Sequence, residues 1–182
     1  MSDLGQRSIW TIGHSTWPIE RFVALLQNAG IHALADVRRF PGSKRNPQFG
    51  QEQLSHSLRQ SGIDYVHFPE LGGRRQVQPN SPNAAWRNAA FRGYADYMMT
   101  NAFKGGIERL LQLAEATPTA IMCAEALWWQ CHRALIADYL KAAGWKVQHI
   151  SGDAKLQEHP FTSAARLIDG KLSYQGLPIT DT

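Results

Sequence analysis

The segment CAEALWWQCHR, residues 123–133, sets two thiols, a carboxylate, an imidazole and a guanidinium within eleven residues. Cys123 and Cys131 are the only cysteines in the chain. A thiolate nucleophile needs a thiol whose pKa is lowered by a helix N-terminus or by nearby cations. Cys131, at the expected start of a helix and followed by His132 and Arg133, meets all of these conditions. Glu125 lies in the intervening loop, where it could act as a base, a ligand or an ion-pair partner. The bland alternative is packing, because a cysteine at a strand end behaves as a small buried hydrophobe.

A metal ion is the one cofactor these residues could hold, with Cys123, Glu125, Cys131 and His132 as candidate ligands. Structural zinc sites pair their cysteines two to four residues apart, but seven residues intervene here. Adjacent Cys131 and His132 would also diverge on a helix. Such a site would have to recruit His14 or His67 from neighbouring strands. The order strand, Cys, loop, Arg, helix is shared with rhodaneses and cysteine phosphatases, and ADVR (35–38) is a faint echo of the former. Their anion cradles are short and often glycine-rich, so that backbone N–H groups reach the oxyanion. This loop runs ten residues from Cys123 to Arg133 and carries Trp128 and Trp129, so the likeness stops at architecture.

Three further segments carry candidate groups. In GHS (13–15), Gly13 permits a tight turn or a close backbone approach, which leaves His14 as an acid, base or loop cap, with Ser15 beside it. DVRRFPGSKRNPQF (36–49) carries four cations between Arg38 and Arg45. Asp36 could orient Arg38 toward an anion, and Lys44 and Arg45 read as surface residues. YVHFPELGGRR (65–75) repeats the theme with His67, Gly72, Gly73, Arg74 and Arg75. Its double glycine suits a lid or a backbone that approaches phosphate. The stripe Phe91, Tyr94, Tyr97 and Met98 has helical spacing and reads as core. Trp86, Trp128 and Trp129 fall in loops, where they could close over a crevice or stack on a planar ligand.

These groups need a scaffold. Five runs rich in branched or aromatic residues predict strands: 8–12, 31–37, 63–68, 119–123 and 146–150. Helical patterns lie between them, in 18–30, 50–62, 91–116 (two helices broken near Gly105-Gly106) and 131–144. Alternating strands and helices predict one α/β domain over 1–182, Rossmann-like and three-layered, with about five mostly parallel strands flanked by helices. The segment after 151 is less regular, and RLIDGKLSY (166–174) suggests either a hairpin turning on Asp169-Gly170 or the end of a short helix. Residues 69–90 read as a long polar loop.

The two kinds of connection differ in chemistry. Helix-to-strand links are short and bland, whereas strand-to-helix links are long and hold nearly every candidate group. In an open parallel sheet all strand-to-helix links lie beyond the carboxyl ends of the strands, where such folds bind ligands. His14, Asp36, Arg38, His67 and Cys123 should therefore gather at one edge.

Composition supports an anionic ligand without requiring one. The chain has 182 residues, a net charge of +4 and thirteen Arg against six Lys, and Arg carries the fork that matches carboxylate and phosphate. No apolar run approaches the ~20 residues of a membrane span, and no signal pattern opens the chain. Two free thiols fit a reducing cytoplasm.

The segments TIGHS, DVRRFPGS, YVHFPELGG, FRGYADYM and CAEALWWQCHR, taken in order, resemble the bacterial and archaeal domain-of-unknown-function family 488, from residue 11 to about 150. The resemblance implies that these segments belong to one site. It marks His14, Ser15, Asp36, Arg38, Pro41, His67, Gly72, Gly73, Cys123, Glu125, Cys131, His132 and Arg133 as motif positions and brings no catalytic role with them.

The leading expectation is a small cytoplasmic enzyme for an anionic, phosphorylated or nucleotide-like substrate. Arg38 and Arg133 would hold the anion. Cys123 or Cys131 would act as thiolate or ligand, and His14, His132 or Glu125 would move protons. The alternatives are a nucleic-acid-binding or processing module that uses the Arg loops and exposed Trp, and a metal-dependent enzyme. No membrane partner is expected.

Overall fold

The structure, a computed structural model, describes residues 5–176. Residues 1–4 and 177–182 of the expected 1–182 domain lie outside the described residues. The expected α/β architecture is found: a mostly parallel sheet with helices on both faces.

The strands are β1 (Ser8–Gly13), β2 (Ala33–Asp36), β3 (Asp64–His67), β4 (Thr119–Cys123), β5 (Lys146–Ile150) and β6 (Leu156–Glu158), in the order β3-β2-β4-β1-β5-β6. The first five run parallel, and β6 adds to the edge antiparallel to β5. Every residue of β2 and of β4 is buried, as expected of strands covered on both faces. A separate hairpin, β7 (Arg166–Ile168) and β8 (Lys171–Ser173), turns on Asp169-Gly170 with φ of 52° and 76°, the geometry of a tight two-residue turn.

Helices α1 (Ile19–Asn28) and α2 (Gln51–Gln60) supply Phe22, Leu25, Leu26, Leu54 and Leu58 to one core. Helices α3 (Ala89–Tyr97), α4 (Asn101–Ala116) and α5 (Arg133–Ala142) pack on the other face, in a second core that also takes Ala164 and Tyr174 of the C-terminal segment. The expected break at Gly105-Gly106 is corrected: both glycines lie inside α4. The helices part at residues 98–100 instead, where the Thr100 side chain caps Phe103 N–H. A Cβ on Gly106 would lie 2.5 Å from the Glu70 side chain and 2.9 Å from Leu71, so this glycine serves close packing and does not interrupt the helix. Among the described residues no helix is long and apolar enough to cross a membrane.

The strand order fixes where a ligand can enter. From β1 the chain passes over β4 to reach β2, and from β4 it passes over β1 to reach β5. The two loops therefore leave adjacent strands in opposite directions and open a crevice between them, at the topological switch point.

Candidate active site

A crevice of about 890 Å³ occupies this point. The β1 loop contributes His14 and Ser15, the β2 loop Arg38 to Asn46, the β3 loop Gly73 and Arg74, and the β4 loop Cys123 to Leu127 with Gln130, Cys131 and His132. Five cations line it, Arg38, Arg39, Lys44, Arg45 and Arg74, against a single carboxylate, Glu125. Lys44 and Arg45 are exposed, as expected, and stand on its rim. A hollow of similar size beside the β7–β8 hairpin, about 860 Å³, is lined by no Cys, His or carboxylate.

The β1 and β4 loops continue to pair past their strands, with His14 N–H on Cys123 O (2.9 Å) and Ser15 N–H on Ala124 O (3.0 Å). Gly13 is required there, because a Cβ would lie 1.7 Å from the Glu125 carbonyl oxygen. Ser15 and Arg74, both on the crevice, adopt φ of 49° and 60°. Left-handed non-glycine residues of this kind concentrate at functional sites.

The two thiols meet. Cys123 Sγ lies 2.8 Å from Cys131 Sγ, and both cysteines are free. Cys123 is buried, its thiol well above the ordinary range through burial and its contact with Cys131. Its one S–H is shared between Cys131 Sγ and Glu125 O, the latter at 3.5 Å. Burial also works against ionisation of Cys131. The hydrogen bond from Cys123 and the charge and N–H groups of Arg133 outweigh it, and bring Cys131 down to about 7.

Asp36 is fully buried and grips Arg38 twice, Arg38 Nε donating to Oδ1 at 2.9 Å and Nη2 to Oδ2 at 2.8 Å. The Arg38 backbone N–H adds a third bond, to Oδ1 at 3.0 Å, and Tyr65 OH a fourth, to Oδ2 at 2.5 Å. Nη1, the remaining arm of Arg38, donates to His14 Nε2 at 3.4 Å. His14 Nδ1 faces Ser15 O at 2.7 Å; a carbonyl only accepts, so Nδ1 carries the proton and Nε2 the lone pair. The His14 ring stacks on Phe49 with centroids 4.3 Å apart, and burial lowers its pKa to about 4. His132 likewise donates Nε2–H to Val37 O at 2.8 Å, and burial lowers it to about 4. Both imidazoles are neutral at pH 7.

Several candidates take other places than expected. His67 donates to the main-chain carbonyl of Arg38 (2.8 Å) and does not line the crevice. Gly72 lets the β3 loop pass the Arg39 backbone, since a Cβ there would meet Arg39 Cα at 2.6 Å. A Cβ on Gly73 would meet His132 Nδ1 at 2.9 Å. The Glu125 side chain is exposed, while its carbonyl accepts from Arg133 Nη2 at 3.0 Å. Among the described residues no three His, Cys, Asp or Glu side chains converge as metal ligands. Cys123, Glu125, Cys131 and His132 form no such set because the exposed carboxylate and the imidazole turned to Val37 O point elsewhere.

Arg133 was expected to hold the anion, but it is 1% exposed and does not line the crevice. It bonds inward to Glu125 O, Ala126 O and Thr11 Oγ1, the last at 3.1 Å. From Thr11 a chain of buried polar groups continues through residues absent from the sequence-level candidates. Thr11 Oγ1 lies 2.5 Å from His149 Nδ1, His149 Nε2 lies 2.8 Å from His159 Nδ1, and His159 Nε2 lies 2.8 Å from Asp138 Oδ1. Asp138 also accepts from Thr162 N–H, Thr162 OH and Tyr174 OH. One orientation connects the chain: Arg133 donates to Thr11, Thr11 to His149, His149 to His159 and His159 to Asp138, while Arg133 Nε has no partner. Burial lowers His149 to about 2, with His159 and Arg133 adding to the effect, so it is neutral. Trp128 covers it, ring to ring at 4.7 Å and 4° from parallel.

Residues 18–140 match the family model described as domain of unknown function DUF488. The chain belongs to this family. The match spans α1 to α5 and takes in most of the crevice loops. No curated protein and no solved structure matches the chain.

Proposed function

We propose that this DUF488 protein is a small cytoplasmic enzyme whose Cys131 thiolate attacks an anionic, phosphorylated or nucleotide-like substrate bound in the crevice. The observation that carries this reading is the placing of Cys131, in contact with Cys123 and beside Arg133, on a crevice holding five cations and one carboxylate. A thiol titrating near ambient pH combines a large thiolate fraction with high nucleophilicity. Arg38, fixed by Asp36, presents one guanidinium arm at the crevice, and Arg39, Lys44, Arg45 and Arg74 supply the wider field that draws an anion in. Neutral His14, whose Nε2 accepts from Arg38 Nη1, holds that arm in place, and exposed Glu125 is the one carboxylate at the crevice. The free thiols fit a reducing compartment.

The test is the iodoacetamide alkylation rate of Cys131 between pH 5 and 9, with and without inorganic pyrophosphate. An apparent pKa near 7 and slowing by pyrophosphate, abolished in Arg38→Met, are expected. Alkylation at the pace of an ordinary thiol, indifferent to pyrophosphate, overturns the reading.

A second reading rests on Phe40, 65% exposed on the crevice rim beside Arg39. An exposed ring among cations is what single-stranded nucleic acid stacks on. It predicts binding of a fluorescent oligonucleotide that weakens steeply with salt and falls in Phe40→Ala, with both cysteines intact.

A further inference from the structure

We propose that Cys131 and Cys123 form a two-electron dithiol–disulfide couple acting on disulfides of anionic thiols, with Cys131 attacking and Cys123 resolving. This rests on Cys131 being the attacking thiolate of the crevice. It adds the kind of bond attacked and a task for the second cysteine, which a simple nucleophile does not need.

The first observation is contact. The sulfurs come from opposite ends of the β4 loop, yet they lie 2.8 Å apart with no other side chain interposed. Disulfide formation takes under about 1 Å of further approach. Cys123 is held by the end of a buried central strand, its carbonyl bonded to His14 N–H. Cys131 follows a short 3-10 turn (Trp128–Gln130) and precedes α5, so it is the partner better able to adjust.

The second observation is asymmetry. Both cysteines line the crevice, but Cys131 is partly exposed whereas Cys123 is 2% exposed. An attacking thiol needs access and a thiolate. A resolving thiol needs neither until the mixed disulfide forms, and staying protonated keeps it from reacting first. The groups facing Cys131 sort accordingly: Cys123 on β4 donates to it, Arg133 on α5 stabilises its charge, Tyr94 on α3 lies close, and His132 is neutral.

The steps balance. The Cys131 thiolate attacks one sulfur of R–S–S–R, and R–S⁻ leaves. Cys131 now carries no charge, so Arg133, which also acts on Cys123, favours ionisation of that thiol. Its proton passes to the departed R–S⁻. The Cys123 thiolate then attacks Cys131 Sγ and expels the second R–S⁻. Two electrons pass from the protein sulfurs to the substrate, giving one protein disulfide, one R–SH and one R–S⁻. A reducing thiol of the surrounding pool returns the pair to the dithiol. The substrate class follows from the five lining cations, which favour a disulfide with carboxylate-bearing halves over a cationic one.

The experiment exposes reduced protein without oxygen to oxidised glutathione or, separately, to cystamine, a cationic disulfide, and follows intact mass and released thiol. Expected with oxidised glutathione are a species two hydrogens lighter, two thiols released per chain, and a rate at least about tenfold above that with cystamine at low salt. Cys123→Ala should stop at one glutathionyl adduct on Cys131. A mixed disulfide that persists in the wild type, or adducts on both cysteines, overturns the couple, as does a faster reaction with cystamine. If alkylation of Cys131 is still fast and slowed by pyrophosphate, the nucleophile reading survives that failure. If alkylation is ordinary too, both fall together. The wild-type measurement stands even if a cysteine variant does not fold.

Discussion

Arg38 and Arg133 are both buried, 8% and 1% exposed, yet only Arg38 has a carboxylate against it. Asp36 takes two of its nitrogens in a fork, which is the strongest arrangement for the pair. That grip fixes the guanidinium and cancels much of its charge, leaving Nη1 as an aimed donor on the crevice. Arg133 is held by two carbonyls and a hydroxyl, none of them charged. Its nearest carboxylate along hydrogen bonds is Asp138, three side chains away through Thr11, His149 and His159. The fold thus treats the two cations differently. Arg38 is a neutralised fork that can position a ligand, and Arg133 keeps its charge for the sulfur beside it.

The largest effect should come from breaking the direct pair. Asp36→Ala leaves a mostly buried guanidinium without its partner, and removing one member of such a pair costs about 3–5 kcal/mol. Urea unfolding measures this. A loss under about 1 kcal/mol would mean that crevice water already solvates Arg38, and the contrast with Arg133 would collapse.

The indirect pair is sharpened by a double-mutant cycle. Arg133→Met and Asp138→Asn share no contact, and independent sites add within about 0.5 kcal/mol. Compensation through the chain predicts coupling of about 1 kcal/mol or more. A simply additive cycle sinks the idea that Asp138 answers Arg133.

Arg133 and Arg38 should also separate in their effect on the thiol. Arg133→Met is expected to raise the apparent pKa of Cys131 by at least about one unit, a free-energy change of about 1.4 kcal/mol. Alkylation at pH 7 slows accordingly. Arg38→Met, whose charge Asp36 already offsets, should move that pKa much less. Equal shifts from the two variants would erase the difference.

What the sequence reveals follows the same divide. The crevice groups sit in loops beyond strand ends, and alternation of strands and helices brings such loops together whatever their detail. His14, Arg38, Cys123 and Cys131 were visible for that reason. The chain behind Arg133 lies inside elements, His159 excepted. Thr11 and His149 occupy inward positions of β1 and β5 and are register partners across the two strands. Each sits where the pattern calls for an apolar residue, which is the one local signal they give. Asp138 falls within the apolar face of α5, and His159 follows a three-residue edge strand that the sequence pattern does not mark. Their meeting depends on the crossover of α5 over β1, which no local pattern encodes. The misplaced helix break has a related cause, because Gly106 answers to Glu70 and Leu71 on a distant loop.

The smallest effect concerns the cover over that chain. His149 has a folded pKa of about 2, below the ordinary value near 6.5. As pH falls through 6.5 the unfolded chain takes up a proton that the native state refuses. Stability is therefore complete above about pH 6.5 and declines below it, by about 1.4 kcal/mol per pH unit for such a group. His14 and His132, each at about 4, follow the same slope but stop contributing once pH passes their folded pKa. Trp128 lies flat on His149, meets His159 edge-on, and bonds outward through Nε1 to Gln157 Oε1 at 3.2 Å. Trp128→Ala should let water reach the imidazole and raise its folded pKa toward the ordinary value, so that the acid loss of stability becomes shallower between pH 6 and 4. Urea midpoints at pH 7, 6, 5 and 4 read this directly, the expected change in slope being a fraction of 1 kcal/mol per pH unit. An unchanged slope would assign the exclusion of water to the interior packing around β1 and β5.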